Sequence, residues 1–80
     1  MPRFLIEHRH DARECGVVFT SFKGFASPLR GRTTAATCAD GGHAIWWCVE
    51  ATDEEEAMRL VPSYVAARSA ATRIAEVRIP

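Results

Sequence analysis

The stretch His43 to Leu60, HAIWWCVEATDEEEAMRL, most constrains what this chain can fold into, because a strand runs straight into a helix start within it. His43 to Ala51 is rich in β-branched and aromatic residues and predicts a strand. Thr52 with Glu55 three residues on predicts a capping box, the threonine oxygen meeting a free backbone N–H and the glutamate reaching back. Asp53 to Glu56 then put negative charge in the first helical turn, where the helix dipole favours it.

The flanking segments extend this pattern. Arg3 to Arg9, RFLIEHR, predicts a first strand with Phe4, Ile6, His8 and His10 on one face and Leu5, Glu7 and Arg9 on the other. Asp11, with Glu14 three positions on, predicts a helix cap. Cys15, Val18, Phe19 and Phe22 then recur at helical spacing, and Gly24 is a natural stop. Phe25 to Arg32, FASPLRGR, is a loop punctuated by Pro28 and Gly31. It is either a solvated connection with Phe25 and Leu29 tucked against the core or, through Arg30 and Arg32, an anion-binding loop. Thr33 to Ala39 predicts a slender strand that turns at Asp40-Gly41-Gly42 into the His43–Ala51 strand. Pro62 predicts a kink or restart of the acidic-headed helix, with Tyr64 and Val65 continuing its apolar face. Ser69 to Thr72 is expected as a connector and Arg73 to Ile79, RIAEVRI, as the last strand.

This βαββαβ order over residues 1–80 predicts one ferredoxin-like α+β domain: a four-stranded antiparallel sheet in spatial order 4-1-3-2 with both helices on one face. In a chain of 80 residues the core is thin, since only roughly 60–65% of the unfolded surface is buried. Trp46 and Trp47 must point to opposite faces, so one of them faces the uncovered side. The expected remedy is a homodimer through the open sheet face, in a dimeric α/β-barrel-type assembly, or a small-molecule ligand in that face.

Composition narrows the function classes. Ten Lys+Arg balance ten Asp+Glu, so no general field draws nucleic acid or an anionic membrane to the chain. No apolar run approaches a signal peptide or a membrane span, and the expected location is cytoplasmic. Cys15, Cys38 and Cys48 are odd in number and lack C-x-x-C spacing, which argues for reduced thiols over a disulfide framework or a zinc knuckle.

His8-Arg9-His10 is the sharpest chemical feature. Histidines at i, i+2 on a strand share a face about 6.6–6.8 Å apart, close enough to ligate one metal ion. In the predicted fold strand one runs parallel to strand three, so both lie beside the Cys48–Ala51 end, and Cys48 and Glu50 complete the candidate set where the register puts them on the same face; His43 then sits at the opposite end of the sheet. The alternative is that His8 is buried beneath a helix with a satisfied ring nitrogen and His10 is a strand-end polar residue. Cys15, near a helix start and close to His10, can be read as a thiol nucleophile or as the first residue of a buried face. Glu7, Glu50 and Glu76 lie on three predicted strands and either converge as acid/base carboxylates or pair with Arg9, Arg73 and Arg78.

Three segments, RFLIEHR, CVEATDEEEAMR and RIAEVR, together resemble a small actinobacterial family of domains of unknown function that includes a nickel-responsive, ferredoxin-like homodimer. The resemblance implies that fold and raises the expectation of a metal ligand. The leading functional expectation is therefore a non-enzymatic binder of a divalent transition metal (nickel, copper or zinc) through His8, His10, Cys48 and Glu50. Its rival is a small-molecule carrier or enzyme of isomerase or monooxygenase type, with an apolar pocket lined by Trp46 or Trp47.

Overall fold

A computed structural model describes all 80 residues. Four strands, β1 (Arg3–Arg9), β2 (Ala35–Ala36), β3 (Ala44–Glu50) and β4 (Ser69–Ile74), form one sheet in the order β2-β3-β1-β4. Read from the other edge this is 4-1-3-2, the order expected. Every pairing is antiparallel. Three short helices, α1 (Cys15–Thr20), α2 (Glu54–Met58) and α3 (Ser63–Ala66), accompany the sheet, and a 3₁₀ turn at Ala12–Glu14 leads into α1. No helix is long and apolar enough to cross a membrane.

Alternation of side chains decides which sheet face is covered. Phe4, Ile6 and His8 of β1 and Ile45, Trp47 and Val49 of β3 are buried. Their neighbours Leu5, Glu7, Arg9, Trp46, Cys48 and Glu50 point the other way. Val18 of α1, Ala57 of α2 and Val65 of α3 close over the buried set, with Leu29 and Val61, in a single apolar cluster. Trp47 is thus the core tryptophan. Trp46 lies half-buried on the open face, where its indole N–H donates to Glu7 Oε2 at 2.8 Å.

Several element boundaries differ from expectation. The helix cap is Asp53, one residue later than Thr52: Asp53 Oδ1 accepts from the Glu56 N–H at 2.8 Å, while the Thr52 hydroxyl turns to the Glu56 carboxylate. α2 ends early and the chain restarts as α3 directly after Pro62, the break that the proline predicted. β2 contracts to two residues because Cys38–Asp40 form a 3₁₀ turn before Gly41, whose φ of 83° closes the hairpin. β4 spans Ser69–Ile74, taking in the expected connector. Its register against β1 runs from Ser69 opposite His8 to Ile74 opposite Arg3, and there β1 has no further residues to pair. Val77 and Ile79, whose alternation suggested the last strand, are left about four-fifths exposed, at 79% and 81%.

The largest correction concerns strand direction. The α1 crossover returns the chain so that β2 runs parallel to β1, and the tight hairpin then sends β3 back between them. β3 is therefore antiparallel to β1, not parallel, with Arg9 opposite Ala44 and Arg3 opposite Glu50. Each residue at the C-terminal end of β1 meets the beginning of β3.

Candidate metal centre

Antiparallel pairing moves the histidines away from their expected partners. Cys48 stands opposite Leu5 and Glu50 opposite Arg3, both exposed and at the far end of the sheet from His8 and His10. Neither approaches the histidines, so the set His8, His10, Cys48, Glu50 is not brought together. Beside His10 lies His43, whose carbonyl accepts from the His10 N–H at 3.1 Å.

Two chain reversals build the site at this end. After β1, the Glu14 side chain accepts from the Asp11 N–H at 3.1 Å and holds the 3₁₀ turn, which delivers Cys15 as the first residue of α1. On the other reversal Thr37 staples the β2–β3 hairpin. Its N–H donates to Ala44 O, its Oγ1 accepts from the Ala44 N–H, and its carbonyl accepts from the Gly42 N–H. The approach is so close that a Cβ on Gly42 would lie 2.4 Å from Thr37 Oγ1, which reserves this position for glycine. His43 follows with φ of 51°, the one non-glycine residue in the left-handed region, a conformation that costs of order 1–3 kcal/mol. That strained backbone turns its imidazole toward Cys15.

The result is a cluster of His10, Cys15, Cys38 and His43, whose ligand atoms all lie within 4.8 Å of one another. Cys15 Sγ is 3.2 Å from His10 Nε2 and 3.0 Å from His43 Nδ1, and Cys38 Sγ is 3.6 Å from His10 Nε2. With metal–sulfur bonds of about 2.3 Å and metal–nitrogen bonds of about 2.0–2.1 Å, a tetrahedral ion holds S and N atoms about 3.6 Å apart. At these three contacts the side chains present fit a four-coordinate ion with adjustments of a fraction of an ångström. Burial, and next the Cys15 thiol beside it, hold the Cys38 pKa above its ordinary value. A bound cation reverses that preference, because coordination deprotonates the thiol and compensates the buried charge.

His8 has a different part. It is fully buried, and burial pushes its pKa down, so the ring is neutral. The Ser69 hydroxyl donates to Val65 O at 2.6 Å, which leaves Ser69 Oγ to accept from His8 Nδ1–H at 2.9 Å. His8 Nε2 must then be bare, and it accepts from His10 Nδ1–H at 2.9 Å. This directional chain assigns the proton of His10 to Nδ1 and leaves Nε2, the atom facing the two thiols, with a free lone pair. A metal-ligating histidine normally needs such a partner on its other nitrogen. Thus His8 follows the alternative reading of a satisfied core histidine and orients His10.

A second polar cluster anchors the same corner. Glu14 Oε2 accepts from the Tyr64 hydroxyl at 2.6 Å and from Arg68 Nε at 2.7 Å, tying the turn before Cys15 to α3. Arg68 also lies 3.8 Å above the Tyr64 ring. The Tyr64 hydrogen bond, then the Asp11 N–H, and then Arg68 hold the Glu14 pKa down at about 2, against an ordinary value of 4.5. A depressed carboxylate contributes stability above its unfolded pKa and loses it as pH falls through its folded one. Thermal midpoints should accordingly fall between pH 4.5 and pH 2 more steeply for the native chain than for Glu14→Gln; equal slopes would show that this cluster does not anchor the turn.

The other carboxylates do not converge. Glu7 takes the Trp46 indole and lies 3.4 Å from Arg9, and Glu76 pairs with Arg3. Compared with protein-family models, with curated proteins and with solved structures, the chain matches none of them.

Of these four residues His10 belongs to the ligand set predicted from sequence, and Cys15, Cys38 and His43 do not. A signal for them existed in the mirrored spacing His10-x₄-Cys15 and Cys38-x₄-His43. Each pair brackets one chain reversal, and an antiparallel β1–β3 pairing brings the two reversals to the same end.

Proposed function

We propose that this protein is a non-enzymatic binder of one divalent transition-metal ion, held by His10 Nε2, Cys15 Sγ, Cys38 Sγ and His43 Nδ1. The observation that carries the reading is the convergence of these four ligand atoms from two separate turns. Two imidazoles and two thiolates in tetrahedral disposition suit zinc best, with nickel and copper as competitors. Four protein ligands fill a tetrahedral shell and leave no position for substrate, which favours a structural or sensing site over a catalytic one. The likeness of RFLIEHR, CVEATDEEEAMR and RIAEVR to a family with a nickel-responsive member points to the same class of ion and to a ferredoxin-like fold. Reduced ligand thiols fit a cytoplasmic setting. The uncovered sheet face, with Leu5, Trp46 and Ile74 half-buried on it, fits a homodimer joined through its sheets.

The test is metal analysis of tag-free protein after exposure to zinc, nickel or copper and desalting, with mass in solution recorded alongside. One ion per chain is expected, and none in the Cys15→Ser/Cys38→Ser double variant. Retention unchanged in that variant, or no retention in the native chain, would overturn the assignment. A mass of one chain at all concentrations would remove the dimer.

A further inference from the structure

A cleft lined by none of the four proposed metal ligands carries a second assignment. It begins with the FASPLRGR loop, whose path is set by local bonds. Ser27 donates its hydroxyl to Leu60 O at 2.6 Å and accepts the Leu29 N–H at 3.2 Å, and Leu29 is buried in the core. Gly31, at φ of 80°, takes a left-handed turn that L side chains rarely adopt. The chain thereby folds back on itself, with the Arg30 N–H donating to Ser27 O and the Arg32 N–H to Leu29 O. Arg30 and Arg32 are left on either side of the turn, exposed.

These two side chains border a cleft of about 410 Å³ together with Lys23, at the end of the segment following α1. Its floor is apolar: Leu29 and Trp47 are buried, and Phe22 lies with its ring centroid 5.8 Å from that of Trp47. No acidic side chain lines the cleft, and none of the three cations belongs to an ion pair. In a chain whose net charge is zero, three unpaired cations around one apolar floor are a concentration of like charge. Their mutual repulsion is relieved by an anion, and a cleft of this size lies within the range of small-ligand sites.

We propose that this cleft binds a small organic anion, an apolar body seated on Phe22, Leu29 and Trp47 and ending in a carboxylate or phosphate held by Lys23, Arg30 and Arg32. The arginines suit such a head group because their planar N–H forks match two anionic oxygens at once. The assignment stands on residues separate from the four metal ligands and is independent of the ion.

Trp46→Phe leaves Trp47 as the one tryptophan, a fluorophore in the cleft floor. Tag-free protein in that background is titrated with decanoate, decyl phosphate and decan-1-ol. A saturable change in Trp47 emission is expected with at least one of the two anions, at least ten-fold tighter than with the alcohol; the preferred anion distinguishes a carboxylate from a phosphate ligand. Arg30→Ala/Arg32→Ala should weaken anion binding at least ten-fold and leave the alcohol unchanged, whereas Arg30→Lys/Arg32→Lys should keep part of the preference. Added sodium chloride should weaken the anion and not the alcohol, a readout that requires no variant of the loop. Equal affinity for anion and alcohol, or no saturable change with any probe, would overturn the proposal.

Discussion

Stripping zinc from the loaded protein with a chelator is expected to lower its thermal midpoint by roughly 15–30 °C. An ion held at about 1,000 times its Kd stabilises the folded state by about 4 kcal/mol, and a domain of this size shifts by about 4–8 °C per kcal/mol. Structural zinc sites are readily tight enough to reach that regime. The effect should be large here because the ordinary sources of stability are modest. Only 15 of 80 residues are buried, and each helix has six residues or fewer. Such helices are far below the length that is stable alone and depend on what they are attached to. The measurement is a pair of thermal melts with metal content determined on the same samples. Complete loss of the ion with an unchanged midpoint would mean that the four side chains meet without the ion supporting the fold.

The second large effect is expected at a residue that does not touch the ion. His8→Ala should cost roughly 2–4 kcal/mol in stability, since it opens a cavity in the core and leaves the His10 Nδ1–H without its acceptor. It should also weaken zinc binding about 10–100-fold, as loss of a partner behind a ligating histidine generally does. Competition against a chromophoric chelator reads the affinity, and urea unfolding reads the stability. Ser69→Ala separates the two contributions. It removes the hydroxyl that orients His8 while leaving the core ring in place, so affinity should fall with a smaller loss of stability. Native affinity in both variants would show that the His8 chain does not set the tautomer of His10.

The regions that sequence described well are those where a local pattern and its tertiary use coincide. β1 buries every second residue, as the alternation of its two faces predicts, β3 carries the β-branched and aromatic residues that strands favour, and Asp40-Gly41-Gly42 has the chemistry of a tight hairpin turn. Pro62 both predicts and produces the break before α3. Misreadings occur where two local solutions compete or where a distant partner decides. Thr52 and Asp53 are both able to cap α2, and Asp53 takes the position. Arg73–Ile79 alternates as well as a strand does, but β4 ends where β1 ends. Phe19 has helical spacing with Cys15 and Phe22, yet it is 54% exposed and lines the cleft instead of the core. The candidate site depends on direction above all. With β1 and β3 taken as parallel, His10 faces Cys48 and Glu50; reversing one strand replaces both with His43. Cys15 and Cys38 then follow from the turns on which they lie.

All four proposed ligands lie between His10 and His43, so an ion cross-links the first half of the chain and none of the second. Residues after β3 are held through the sheet, the apolar cluster, the Glu14–Tyr64–Arg68 contacts and single bonds such as Ser27–Leu60, His8–Ser69 and Arg3–Glu76, and not by the ion. Opening is thus expected to be graded along the molecule, with the α2–α3–β4 segment exchanging its amide hydrogens first. The segment from β1 to the start of β3 would remain closed as a knot around the ion until it dissociates.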